Sequence, residues 1–251
     1  VIDPRTDFEI NALGTFNTLE AARASGLKRV FVYSSTNKVY GGMENIKVVE
    51  HKTRYAYQDL PEGADETQIL DFHSPYGCSK GSGDQYVRDY YRIYGLPTVV
   101  LRQSCIYGTR QFGIEDQGWV AWFIIAAITG RPITIYGNGK QVRDILFIDD
   151  LMDAYDLAFE QPGKAAGQVF NIGGGPQNTI SVWTEFKPML EKLIGHEIKT
   201  QVRDWRPGDQ PVYVSNISKA QSILGWTPKI SAEEGIRRLF DWIKENRSLF
   251  E

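Results

Sequence analysis

Tyr76 and Lys80 stand four residues apart in the segment Tyr-Gly-Cys-Ser-Lys. On a helix that spacing is close to one turn, so both side chains share a face. A free phenol ionises near pH 10, so it acts as a base at neutral pH only if its phenolate is favoured by about 4 kcal/mol. A lysine ammonium one turn away supplies part of that preference. The chemistry to expect is removal of a proton from a hydroxyl. The same spacing also fits an amphipathic helix that merely exposes a tyrosine and a lysine. A second group, Ser34, Ser35 and Thr36, closes the apolar run that starts at Lys28. At the carboxyl end of a parallel strand these hydroxyls would lie where open α/β sheets bind ligands. Alternatively they satisfy local backbone groups at a strand end.

The elements around these residues can be read from pattern. Thr6-x-x-Glu9 reads as a capping box that opens a helix running to about Ser25 and stopping at Gly26. Lys28–Ser35 reads as a buried parallel strand. The polar stretch 45–67 reads as an irregular loop. Pro75 suits the first turn of a helix Tyr76–Tyr94 ended by Gly95, and Pro97–Leu101 reads as the next strand. This alternation is the α/β signature. Beyond a loop over 107–118 we expect a helix Trp119–Thr129 and strands Ile133–Tyr136, Asp144–Ile148 and Val169–Ile172. Helices are expected at Asp150–Phe159, at Ser181–Ile194 with a kink at Pro188, at Ser218–Leu224 and at Ala232–Asn246. No internal repeat or low-complexity tract interrupts this order.

Composition removes several function classes. Lys plus Arg is 28 and Asp plus Glu is 31, a net charge of −3 over 251 residues, which is no polyanion-binding balance. We therefore expect no nucleic-acid partner. Aromatics at 12% argue against general disorder. The longest apolar run, Val120 to Ile128, is too short to span a bilayer, so no membrane partner is expected. Two cysteines make no disulfide framework, which suits a reducing cytoplasm. His51, His73 and His196 lack ligand-like spacing, Cys78 and Cys105 lie far apart, and no metal site is expected. The chain opens with neither a signal segment nor a strand ahead of its first helix. We therefore expect its front to be missing.

Tyr33 to Gly41 (YSSTNKVYG) followed by Ser74 to Lys80 (SPYGCSK) resembles the extended short-chain dehydrogenase/reductase family of nucleotide-sugar epimerases and dehydratases. The resemblance continues through Asn11–Ala22, Leu101–Phe112, Gly137–Leu151, Phe170–Gly175 and Arg206–Asp209 (RPGD). It implies an α/β fold, the C-terminal part of a Rossmann-like doubly wound parallel sheet plus a smaller α+β lobe. Residues 1–102 would be the remainder of the dinucleotide-binding domain with the catalytic residues. Residues 103–251 would be mainly the nucleotide-sugar lobe, with segments returning to the sheet. The family's Gly-x-x-Gly-x-x-Gly turn is absent: neither Gly137-Asn-Gly139 nor Gly173-Gly174-Gly175 opens a helix after a first strand.

The resemblance also implies roles. Tyr76 would be the base, Lys80 would lower its pKa and hold the nicotinamide ribose of NAD, and Thr36 would orient the sugar hydroxyl. Ser34, Ser35, Asn11 and Ser104 would face the cofactor. Asn37, Lys38, Gln111 and Phe112 would border the sugar, Arg143 and Arg206 would hold the diphosphate, and Asp209 would accept from a ribose hydroxyl. The family's dehydratases place Asp-Glu after the Thr, where this chain has Asn37 and Lys38, which disfavours dehydration. The family's usual Asn in the strand-end loop is Cys105 here. STNKVYG (Ser35–Gly41), DQGW (Asp116–Trp119) and GNGKQVRD (Gly137–Asp144) together resemble its CDP-paratose 2-epimerase branch. Epimerisation of a CDP- or UDP-sugar by transient oxidation is the implied reaction, with C4 inversion of the UDP-glucose 4-epimerase type as the alternative. A non-catalytic fragment that binds sugar nucleotide without NAD is the other alternative. A homo-oligomer, dimer or tetramer, would pair through the helices of 6–24 and 76–94.

Overall fold

The computed structural model describes residues 3–26, 28–206 and 208–251. At its centre three parallel strands lie in the order Phe31–Thr36, Thr98–Gln103, Val169–Ile172. Phe31 pairs with Thr98 and Thr36 with Gln103, so the strand ends that carry hydroxyls line up. Alternation along the middle strand divides the core in two. Val100 joins Leu19, Tyr33 and Val87 under the helices Gly14–Ala24 and Ser74–Tyr94. Val99 and Leu101 join Leu151, Ala154, Phe170 and Ala220 under the helices Ile148–Glu160 and Ser218–Leu224. Helices on both faces of a parallel sheet are the doubly wound arrangement.

The remaining chain builds a second core around the helix Trp119–Thr129, packed on Phe186–Ile194 and Ala232–Glu245. The last of these shows how sequence selects the element. Ser231 caps it by accepting from the Glu234 amide at 3.2 Å, and Glu233 and Glu234 favour its positive end. Ile236, Leu239, Phe240 and Ile243 then form one buried stripe at helical spacing. Short strands edge the lobe: Ile133–Tyr136 pairs with Thr200–Arg203, and Val142–Asp144 lies between Thr179–Ser181 and Val212–Tyr213. Among the described residues no helix is long and apolar enough to cross a membrane.

Several expected elements differ. The first helix starts earlier, at Pro4, with Asp3 as its cap: its carboxylate accepts from the amides of Arg5 and Thr6, both at 3.2 Å. Thr6 donates its hydroxyl to Asp3 and Glu9 pairs with Arg5, so no capping box forms. The helix then passes through one π turn, Phe8–Leu13, before Gly14–Ala24. Inside the expected loop 45–67, Val48–Glu50 and Tyr55–Tyr57 form an antiparallel hairpin. Ser181 ends a strand instead of opening a helix, and Pro188 sits third in Phe186–Ile194. An amide there has no intrahelical partner, so the proline costs no hydrogen bond. The expected strand 144–148 is two strands, Val142–Asp144 and Leu146–Phe147. The break follows from Asp144, which turns back to accept from the amides of Gly175 and Ser215.

Candidate active site

Thr36 ends its strand at the carboxyl edge of the sheet. Its Oγ1 accepts from the Lys38 amide at 3.2 Å and caps the 3₁₀ turn Asn37–Tyr40. Tyr76 stands in the first turn of Ser74–Tyr94 and lines one cavity together with Thr36. Burial pushes the phenol above its ordinary pKa, the neighbouring Thr36 side chain pulls it back and Asp7 pushes it up again, leaving it raised. The ring is still 42% exposed and lines the cleft. The helix comes this close because its inner face is bare: a Cβ at Gly83 would overlap the Tyr33 hydroxyl and one at Gly81 the Phe72 ring. Three glycines in one helix cost roughly 1 kcal/mol each, so tertiary packing holds it.

Lys80 shares that face, but its Nζ donates to the Ser34 carbonyl at 2.5 Å and lies 4.5 Å over the Tyr33 ring. Burial lowers its pKa and Asp84 opposes the shift. The expected lowering of the phenol by Lys80 is therefore not what these contacts produce. Asn11, from the π turn, donates to Ser79 at 3.1 Å, and Ser79 donates to the Tyr76 carbonyl at 2.9 Å. Asn11 thus braces the turn that carries Tyr76 and Lys80.

Ser34 and Ser35 point to opposite faces, as strand neighbours must. The Ser34 hydroxyl meets the Tyr155 hydroxyl, which also accepts from Gln103 at 2.8 Å. Ser35 is buried and donates to Asp84 at 2.7 Å. Asp84 holds Arg102 through two bonds of 2.9 Å, Arg102 reaches the Tyr40 hydroxyl at 3.0 Å, and Tyr40 donates to Asn171 at 2.7 Å. This polar chain beneath the catalytic edge was not foreseen. Its one sequence signal is Asp84, a turn beyond Lys80 on the same helix face. Ser35 and Ser104, both expected to face the cofactor, are hydrogen-bonded within the protein. Ser104 is fully buried and donates to Asp144 at 2.6 Å, while Ser35 also lines the cavity of Thr36 and Tyr76.

Two cavities meet at the lobe boundary. One, about 330 Å³, is lined by Thr36, Asn37, Tyr76, Cys105, Gln111 and Trp119 among others. The second, about 380 Å³, is lined by Lys38, Cys105, Trp119, Arg143, Arg206 and Asp209 among others. Arg143 binds Asp209 at 2.6 Å and the Val142 carbonyl at 2.8 Å. Arg206 binds Asp116 at 2.9 Å and lies 4.0 Å over the Tyr136 ring. Pro207, part of the RPGD segment, lies outside the described residues. Asn37 is buried, its Oδ1 accepting from Thr36 at 3.4 Å. Gln111 donates to the Ile106 carbonyl at 3.4 Å. Phe112, expected to border the sugar, packs on Phe250 and Trp242, ring centroids 5.1 and 6.3 Å away.

Cys105 takes the left-handed φ of 38°, a conformation uncommon for a residue with a side chain. Burial pushes its thiol above the ordinary range, so it meets both cavities as a neutral group. Among the described residues Glu44, Asp71 and His73 come together, all exposed, with His73 3.0 Å from Asp71. Nothing in the spacing of these three had suggested it.

Comparison with known proteins extends this geometry. The family model described as GDP-mannose 4,6 dehydratase matches residues 1–239. The CDP-paratose 2-epimerase of Salmonella typhi is 47% identical over 245 residues, covering 96% of this chain and 72% of its own length. A putative UDP-glucose 4-epimerase of Methanocaldococcus jannaschii is 31% identical, covering 98% of this chain and 73% of its own. The crystal structure of the UDP-glucose 4-epimerase of Thermotoga maritima with UDP-glucose superposes with a TM-score of 0.82 at 31% identity, over 98% of this chain and 72% of that one. The parallel sheet with helices on both faces, the tyrosine and threonine at its carboxyl edge and these similarities together place the chain in the GDP-mannose 4,6-dehydratase family of NAD-dependent nucleotide-sugar epimerases and dehydratases.

Proposed function

We propose that this chain inverts C2 of a CDP-sugar, CDP-paratose to CDP-tyvelose, by transient oxidation at the sugar ring. One observation carries the epimerase reading. Asn37 and Lys38 follow Thr36 where the family's dehydratases place carboxylates, and Asp116, on the larger groove that Tyr76 also borders, is paired with Arg206 at 2.9 Å. The 47% identity to a CDP-paratose 2-epimerase supports the choice of sugar and carbon. The residues present fit the nicotinamide end of NAD. Tyr76 and Lys80 offer a phenol and an ammonium at the carboxyl edge of the sheet, and Ser34 adds an exposed hydroxyl. The pyrophosphate end would need the glycine-rich turn that 1–251 lacks. Bound there, NAD supplies hydride uptake and return at the sugar carbon.

The chain's own residues do the rest. Tyr76 takes the proton of the sugar hydroxyl on its phenol oxygen and later gives it back. Thr36, lining the same cavity, steadies the hydroxyl. Arg143 and Arg206 hold the diphosphate as planar donors, and Asp209 accepts from a ribose hydroxyl. Asn37, Lys38 and Gln111 border the sugar. A second copy of the chain is read as the partner. Phe8, Ile10, Phe16, Tyr86 and Ile93 leave an apolar face exposed on the two helices expected to pair.

The test is isotopic. A substrate deuterated at C2, turned over in ordinary water, should invert at C2 and keep its label there, because no proton is lost to solvent from that carbon. Complete washout would refute transient oxidation. Inversion at C4 with the C2 label retained would assign the chain to the 4-epimerases.

A further inference from the structure

We propose that the buried Asp84–Arg102 ion pair is a positioning device that fixes Thr36 relative to Tyr76, and so sets the alignment of the sugar hydroxyl between them. It rests on the reading above only in taking those two residues as the ones that meet the sugar. Ser35, Arg102 and Asn171 are register partners and form a row across the three central strands, one residue below the carboxyl edge. Asp84 enters the row from the helix Ser74–Tyr94, accepting from Ser35 at 2.7 Å and from Arg102 twice at 2.9 Å. Tyr40 enters it from the end of the 3₁₀ turn that Thr36 caps, accepting from Arg102 at 3.0 Å and donating to Asn171 at 2.7 Å. Thr36 is therefore tied through Ser35, the residue before it, and through Tyr40, at the end of the turn after it. The helix that carries Tyr76 is tied to the same pair.

All five side chains are buried. A fully buried ion pair is a poor source of stability, because desolvation of the two ions offsets most of their attraction and apolar replacements of like volume often do as well. What this pair adds is direction. Apolar contacts are non-directional, and the helix turns the buried glycines Gly77, Gly81 and Gly83 inward, which have no side chains to interlock with the sheet. Hydrogen bonds set its rotation instead. Lys80 and Asp84, one helical turn apart, bind consecutive residues of the strand, at the Ser34 carbonyl and the Ser35 hydroxyl. The pair offers no free charge to the sugar either. Each guanidinium nitrogen of Arg102 already has a partner, two on Asp84 and one on Tyr40. Its effect on the reaction is thus carried by geometry, through the placement of Thr36 and Tyr76.

The test uses the full chain and two variants, with circular dichroism melts as the fold check. Tyr40→Phe keeps the ring beside Tyr213, 6.1 Å between centroids, and deletes only the hydroxyl. Asp84→Leu with Arg102→Met removes the pair and leaves no orphaned charge. In each, kcat for the CDP-sugar at saturating NAD should fall roughly tenfold to a hundredfold with KM within about twofold, since a misplacement of about 1 Å costs about 10² in rate. Hydrogen exchange needs neither substrate nor cofactor. The Lys38 amide, which donates to Thr36, should exchange at least about tenfold faster in both variants, while the amides of Ala232–Glu245 keep wild-type rates. Unchanged kcat, a KM change as large as the kcat change, or a Lys38 amide as protected as in the wild type would each overturn the proposal. Acceleration shared equally by the whole chain would mean lost stability alone and would overturn it too. Failure of the C2 reading shows in the product's stereochemistry and leaves the exchange result standing.

Discussion

Replacing Asp84 by Asn removes one charge from the polar chain beneath the catalytic edge and almost no volume. Asp84 is 0% and Arg102 1% exposed, and two bonds of 2.9 Å join them. An asparagine can accept from only one side of the guanidinium fork, and its amide hydrogens oppose the other. The Arg102 charge then stays buried without a counter-ion, and Ser35 loses its charged acceptor. Removing one partner of a buried pair costs about 3–5 kcal/mol. For a chain of this size each kcal/mol moves the midpoint by about 2–4 °C, so thermal unfolding should fall by roughly 6–20 °C. Circular dichroism melts and urea titrations at one pH should agree on the loss. The double variant Asp84→Leu with Arg102→Met should be less destabilised than the sum of its single changes, because it leaves no orphaned charge. A drop of less than about 2 °C for Asp84→Asn, or strictly additive losses in the double variant, would refute the reasoning.

Three further outcomes are expected. Tyr76→Phe keeps the ring and should cut kcat by about 10²–10⁴ with melting unchanged, and near-normal turnover would remove Tyr76 from the chemistry. Burial pushes Glu185 up, but bonds from Arg54 and the Ser181 amide outweigh it and hold the carboxyl below its ordinary range. A lowered pKa stabilises above the unfolded glutamate range and is lost as pH falls through the folded value. The urea-stability gap between wild type and Glu185→Gln, about 1 kcal/mol for this partly exposed pair, should therefore be full at neutral pH and close in acid. Gly174→Ala should cost about 1–3 kcal/mol in urea unfolding, since its Cβ would overlap the Ile145 carbonyl oxygen.

Much of the fold was legible because the chain punctuates its elements with glycine. Trp119–Thr129 begins after Gly118 and ends before Gly130, at φ 74° and 70°, and Ser218–Leu224 stops at Gly225. Apolar runs announced the three central strands for the same local reason. The hairpin Val48–Glu50/Tyr55–Tyr57 was hidden because each strand has three residues and its support is distant. Tyr57 donates to the Val212 carbonyl and Arg54 reaches Glu185. In the site, the spacing of Tyr76 and Lys80 marked a shared face, but not that the ammonium would turn to the Ser34 carbonyl. Ser35 and Ser104 are polar residues whose facing depends on strand register, which a single sequence does not display. Phe112 follows Phe250, a partner 138 positions away. Arg143 and Asp209 were assigned separate ligand roles, and only the fold shows that they already grip one another.

The π turn at Phe8–Leu13 makes helical phase a property the site depends on. A π turn lodges one extra residue in the helix, and Asn11 reaches Ser79 from within it. Deleting a single residue there would restore the ordinary pitch and rotate everything upstream by about 100° against everything downstream. Asn11 would swing off the Tyr76–Lys80 turn, and Phe8 and Ile10 would be aimed in a new direction relative to Phe16. The first helix works like a vernier, where one residue more or less changes which side chains brace the catalytic turn and which face outward, with hardly any change in hydrophobicity.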